Sequence, residues 1–322
     1  MPSHARPVLR GTTYLVTKRC AFRWFLLTPT PFVTQVMLYC LAVAANRFGV
    51  AVHAACVMSN HVHLVLTDYK GWLPKFMHWF NLQSSKCLNA HYGRAGPLWE
   101  DRPYSRVTLN GEVETEDVID PLSCDDDILD KMVYVLTNPV SAGLVPCGED
   151  WPGLRTGFLE GGREEISVER PKLYFKSPPP KAVLSVVRPP CYQDLSDEEF
   201  SELLEARVLE REQQARSQFE DDARDFEGAE RVVTQDIYEK PATEEPVGGA
   251  NPRVAGRDRW RREERFRRDE VWLLDYVFAL REFPADPTVE FPAGTYELGE
   301  QLGVRVAEQR PNSAGLWRPP DG

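Results

Sequence analysis

Ala51-Val-His-Ala-Ala-Cys-Val-Met58, then Ser59-Asn60, then His61-Val-His-Leu-Val-Leu-Thr67 is the stretch that decides how this chain is read. Two runs rich in β-forming residues flank a two-residue turn, the signal of a β-hairpin. On a strand alternate side chains face the same way, and two residues span about 6.6 Å. His61 and His63 therefore share a face while Val62 points into the core, so both imidazoles can converge on one ion. A His-x-His pair is also what two half-buried structural histidines look like. The apolar run Leu64-Val65-Leu66 makes this a buried hairpin strand ending in two ligands.

Outward from the hairpin, Gly11-Thr-Thr-Tyr-Leu-Val-Thr17 reads as a strand. Apolar residues at helical spacing (Val33, Val36, Met37, Cys40, Leu41, Ala44) predict a helix from Pro31 to about Phe48, stopped by Asn46 and Gly49. Leu73, Phe76, Met77 and Phe80 mark a second helix to about His91, with Gly93 past its end. Arg102 to Leu109 can form a strand. Residues 128–137 read as a helix opened by Asp125–Asp127 and stopped at Asn138-Pro139, because the residue before proline leaves the α region. This order predicts an α+β fold, a ferredoxin-like antiparallel sheet with helices on one face.

Beyond it the composition changes. Pro171, Pro178–Pro180 and Pro189-Pro190 mark residues 156–195 as a linker between a first domain, 1–155, and a mainly helical extension, 196–322. Ser196-x-x-Glu199 is a capping box opening a charged helix to about Phe226, and a second helix is expected over 258–282 after a Pro/Gly-rich stretch near 241–256. Phe291-Pro-Ala-Gly-Thr-Tyr296 is turn-like.

Charge divides the same way. Residues 1–155 hold 14 Lys+Arg and 14 Asp+Glu, so the whole net charge of −11 belongs to residues 156–322. Overall acidity normally argues against nucleic-acid binding, but here it does not describe the first half, which holds all six histidines within its first 91 residues. Seven cysteines without a Cys-x-x-Cys spacing argue against a disulfide framework and suit a reducing cytoplasm. No run reaches the 18–20 apolar residues of a membrane span, and no secretory signal core is visible.

Tyr134-Val-Leu-Thr-Asn138-Pro139 supplies a second candidate. Residues i and i+4 of a helix share a face, so Tyr134 and Asn138 present a phenol and an amide together. A core tyrosine beside a C-cap asparagine is the plainer reading of this motif alone.

Four ordered blocks together resemble the REP-associated tyrosine transposases, within the single-tyrosine HUH transposases and endonucleases. They are Gly11–Thr17, His53-Ala54…Val57-Met-Ser-Asn-His-Val-His-Leu64, Gly96-Pro-Leu-Trp-Glu-Asp-Arg102, and Tyr134-Val-Leu-Thr-Asn-Pro-Val-Ser-Ala-Gly-Leu-Val145. The resemblance covers Gly11 to about Pro152. It implies that His61 and His63 bind a divalent cation, magnesium or manganese, and that Asn138 completes the metal shell. It implies that Tyr134 is the nucleophile, that the substrate is single-stranded or hairpin DNA nicked and rejoined through a 5′-phosphotyrosine, and that no nucleotide cofactor is needed.

DNA-binding candidates are cations interleaved with aromatics: Lys18, Arg19 and Arg23 beside Phe22 and Trp24, then Lys75, Lys86, Arg94, Arg102 and Arg106. Residues 257–268 hold seven arginines; Arg261, Arg265 and Arg268 can grip phosphates, or they form a salt-bridged solvated helix with Asp258, Glu263 and Glu264. The acidic helix 197–226 suits packing against the first domain better than DNA. Two other readings compete: a catalytically lapsed, domesticated hairpin-binding protein, and a zinc hydrolase using Glu100 or Asp101. The sequence leaves monomer and dimer both open.

Overall fold

A computed structural model describes residues 6–100, 118–121, 125–157, 163–175, 179–242 and 259–309. The expected strand over 102–109 and the stretch 243–258 lie outside the described residues, as do Arg102 and Arg106. In chain order the first elements are β1 (Thr12–Arg19), α1 (Pro31–Phe48), β2 (Val50–Val57), β3 (His61–Asp68), α2 (Leu73–Tyr92), β4 (Val118–Pro121) and α3 (Asp125–Ser141). Then come β5 (Arg163–Glu169), β6 (Lys181–Val187), α4 (Asp197–Asp221), α5 (Ala229–Val233), α6 (Arg259–Glu282) and α7 (Glu297–Leu302).

The sheet order is β4-β1-β3-β2-β6-β5. Its first four strands have antiparallel neighbours, as the sequence predicts for β1 to β3, while the edge strand β4 is Val118–Pro121, where the sequence pattern predicts no strand. The sheet is mixed as a whole, because β6 joins β2 in parallel at Val52↔Val186. The central strand β3 is buried on both faces. Its cross-strand pairs Thr17↔His63 and Cys56↔His63 put the second histidine on one face. α3 packs against β2 and β3 there, while the mutually packed α1 and α2 cover the opposite face, to which Val62, Leu64 and Leu66 point.

Local signals set the helix ends. Thr30 accepts from the Val33 N–H and Pro31 fills the first turn of α1. The carboxylate of buried Asp68, at the end of β3, accepts the backbone N–H groups of Lys70, Trp72 and Leu73, satisfying donors at the start of α2. α3 does not stop at Asn138. It runs through Pro139 to Ser141, because a proline in the last turn removes only one ladder bond, and the Arg155 Nε donates to the neighbouring Leu136 carbonyl at 2.7 Å.

The stretch expected as a linker is where the sequence reading fails. Ile166 and Val168 alternate with polar residues in β5, and Lys181–Val187 pairs with it in full antiparallel register. Pro171, Pro179 and Pro180 lie between the strands and Pro189 and Pro190 just past them, so these prolines punctuate the hairpin instead of spacing domains. The Tyr39 hydroxyl donates to the Pro179 carbonyl at 2.5 Å and fixes the hairpin against α1.

His53 marks the β2 bulge between Val52 and Ala54 and welds three strands. The Val187 carbonyl can only accept, so His53 Nδ1 donates to it at 2.7 Å, and Nε2 accepts from the Thr67 hydroxyl at 2.7 Å. Thr13 closes the chain onto Thr67 at 2.7 Å. Burial lowers the His53 pKa to about 4. A histidine depressed in the native state and near 6.5 unfolded contributes fully above pH 6.5, and that stability is lost as pH falls toward 4, to a limit of about 3 kcal/mol. Urea melts of wild type and His53→Gln at pH 7 and pH 4.5 are expected to show a steeper acid loss in wild type by about 2–3 kcal/mol; parallel losses would contradict the buried neutral imidazole.

Candidate active site

β3 begins with His61 and carries His63 two residues on, and their rings meet edge-on at 4.6 Å between centroids. His63 is 3% exposed and His61 half-buried at the rim. Both rings are oriented by their Nδ1 atoms. The Asn60 amide donates through Nδ2 to the Arg23 carbonyl at 3.2 Å, so its Oδ1 faces His61 and accepts the Nδ1 hydrogen at 2.7 Å. His63 Nδ1 meets the Thr17 hydroxyl at 2.8 Å. With Nδ1 as donor in each ring, both Nε2 lone pairs are left for a ligand. Burial, with the Arg19 cation beside it, pushes His61 down to about 3. Burial, His61 and Arg19 hold His63 well below the ordinary imidazole value. Both rings are neutral at pH 7, the form a cation requires.

α3 brings Tyr134 to the same place. Its ring lies 5.1 Å from that of His63, edge to face, and its hydroxyl is 3.5 Å from His63 Nε2, adjacent but too long for a strong hydrogen bond. Tyr134 is 36% exposed as a residue, while its hydroxyl is turned toward His63. Burial raises its pKa, opposed by a side-chain hydrogen bond with Asn138 one turn on and by the Arg19 and Arg211 cations. The phenol therefore stays protonated at neutral pH and is a weak nucleophile until its target is activated.

Among the described residues no group of three His, Cys, Asp or Glu converges on a metal position. Two neutral imidazoles meet here, and the amide of Asn138, buried on α3, hydrogen-bonds Tyr134 beside them. Two imidazole nitrogens with one neutral amide oxygen would be a donor set suited to a divalent cation that keeps open positions.

The DNA-binding candidates separate. Arg19 pairs with His61 across the sheet and belongs to the site, and Arg23 sits on the turn that Asn60 holds. Lys18 points the other way: it is buried and donates to the Glu100 carbonyl at 2.6 Å, which removes it from a DNA-facing role. Lys75 lies near the opposite end of the sheet in an ion pair with Glu300 at 2.8 Å. Lys86 is exposed on α2. Arg94 is held by Asn89 and lies 5.8 Å over the Trp24 ring. In α6, Arg265 pairs with Asp269 and Arg268 with Glu264, as in the salt-bridged reading of that helix; the Arg261 side chain lies outside the described residues.

Sequence reasoning missed Thr17 and Asn60, which orient the two rings, and Arg211, whose helix had been set aside as acidic. α4 packs along α3. Gly143 ends α3 at φ 74°, and a methyl there would sit 2.4 Å from the Phe219 ring of α4. Residues 154–156 run beside the end of β2 and carry Arg155 under α3. There Glu212 of α4, 2% exposed, meets Arg155 at 3.6 Å, accepts the Gly148 N–H at 3.1 Å and is approached by Arg216 at 3.5 Å. Removing one partner of a buried pair strands the other.

Residues 15–120 match the family model described as "Transposase IS200 like". That match includes His61 and His63 and ends before Tyr134. No curated protein matches the chain. Among solved structures, a REP-associated tyrosine transposase bound to a REP hairpin is similar at 18% identity and a TM-score of 0.37, over 48% of this chain and 81% of that one. No described helix is long and apolar enough to cross a membrane.

The buried pair gives this section its test. Glu212→Gln is expected to lower unfolding free energy by about 3 kcal/mol, read from the denaturant midpoint; an unmoved midpoint would mean that α4 does not clamp the tyrosine helix through this carboxylate.

Proposed function

We propose that this chain is a metal-dependent DNA transposase that nicks and rejoins single-stranded DNA at hairpin-forming sites, acting in the cytoplasm. The observation that carries the reading is the convergence of His61, His63 and Tyr134 from two elements far apart in sequence. The catalytic unit is the sheet and its helices from β1 onward, completed beyond residue 155 by the β5–β6 hairpin and braced by α4.

In the proposed reaction the Tyr134 oxygen attacks a backbone phosphorus. The bond from phosphorus to the 3′ oxygen breaks, and a phosphotyrosine forms with the 5′ end of the downstream strand. The phenol proton goes to water and the departing 3′ oxygen takes one up, so charge balances. Attack by that 3′ hydroxyl on the phosphotyrosine reverses the exchange, and the ester energy is conserved without a nucleotide cofactor. A magnesium or manganese ion on His61, His63 and Asn138 would draw charge from the phosphate. Asn60 and Thr17 keep the imidazoles turned toward that position, and Arg19 adds fixed positive charge beside it. The lapsed, binding-only reading does not explain two rings aimed by separate partners at one point beside a tyrosine.

Incubation with labelled hairpin DNA and manganese, followed by a denaturing gel, tests the reading. Wild type is expected to give a protein-linked DNA band that EDTA abolishes. Tyr134→Phe, which keeps the ring packing, is expected to give none while still binding the hairpin. Cleavage by Tyr134→Phe at the wild-type rate would make water or another side chain the nucleophile and overturn the assignment.

A further inference from the structure

Beside the histidines, the chain between β1 and α1 makes a strained turn that leaves one large ring outside the core. Phe22 and Arg23 are consecutive non-glycine residues at φ 60°, a left-handed conformation that L side chains adopt at a cost. The strain holds a large apolar ring in solvent: Phe22 is 62% exposed. Its ring lies 4.7 Å from that of Trp24, and Trp24 meets Tyr238 edge-on at 5.1 Å. Tyr238, 52% exposed, comes from the extension beyond α5.

This turn is tied down on three sides. The Cys20 N–H donates to the Asn60 carbonyl, the Leu27 N–H to the Ser59 carbonyl, and the Phe25 N–H to the Glu239 carbonyl. The Ser59 hydroxyl also donates to the Gln235 side chain at 2.9 Å. The Asn60 amide is the link that matters most, since it receives the His61 ring on its oxygen and holds the Arg23 carbonyl with its nitrogen. One side chain thus fixes the aromatic turn relative to the first imidazole.

We infer that Phe22, Trp24 and Tyr238 form a stacking site for an unpaired nucleobase next to the phosphate that the histidines and Tyr134 address. Every base has a π-face, and exposed aromatics with a nearby arginine are the chemistry that holds single-stranded nucleic acid without reading sequence. Arg94, over the Trp24 ring, supplies the cation. Packing against the core and Tyr238 accounts for Trp24 but not for Phe22, which stays exposed on a left-handed backbone. The inference rests on the proposed single-stranded DNA substrate and adds the residues that seat it.

The test uses the full chain and short single-stranded oligonucleotides in which 2-aminopurine replaces one base at a time, at one salt concentration. Wild type is expected to quench fluorescence at one position. Phe22→Ala is expected to lose that quench and bind about 5- to 50-fold more weakly, with Phe22→Tyr restoring both. An abasic sugar at the quenched position should erase the difference between wild type and Phe22→Ala, which a general loss of structure would not do. If wild type binds and forms the tyrosine adduct while Phe22→Ala matches it in affinity and quench, the stacking site is wrong and the transposase reading stands. If wild type neither binds DNA nor forms an adduct, both fall.

Discussion

The period of two along β3 is the constraint on which the rest depends. His61 and His63 face α3 because Val62, Leu64 and Leu66 are sunk on the opposite face, beneath α1 and α2. A register slip of one residue would bury both imidazoles among aliphatic side chains and turn the valine and leucines toward the tyrosine helix. The apolar alternation therefore aims the polar pair. The same burial keeps the rings neutral, so one packing arrangement sets both the direction and the protonation state of the candidate ligands.

Burial on that scale would be costly without partners for the ring nitrogens, and Thr17 and Asn60 provide them. α3 faces a related problem, since Pro139 weakens the helix one turn beyond Tyr134. Arg155 on the Leu136 carbonyl and Glu212 on Arg155 brace that turn from outside the helix. The acidic extension is thus structural at its first helix. Its α6 instead leaves Val271, Leu274 and Phe278 exposed at helical spacing, while Tyr276 and Ala279 join a small separate cluster around Phe291.

Much of this was legible in the sequence because it is local. The hairpin turn at Ser59-Asn60, the alternation after it and the capping signals of α1 and α4 each lie within a few residues, and the elements follow. The site pair His61 and His63 was readable for the same reason. β5 and β6 were not, because a proline count over 156–195 hides two short alternating runs between the prolines. Lys18 was misplaced although the alternation that aims His63 also points Lys18 toward the Val62 side. Thr17 meets its histidine across 46 positions, and Asn60, although next to His61, is turned toward it by the Arg23 carbonyl 37 positions away, which no local pattern encodes.

The central claim is that the phenol of Tyr134 makes the covalent bond to DNA. Trapped protein–DNA adduct, digested with nuclease and trypsin and sequenced by tandem mass spectrometry, measures this directly. The account predicts a peptide beginning at Met132 with a nucleotide 5′-phosphate on Tyr134 and no modification elsewhere. The same mass on another tyrosine, on a serine, or on no peptide would contradict it.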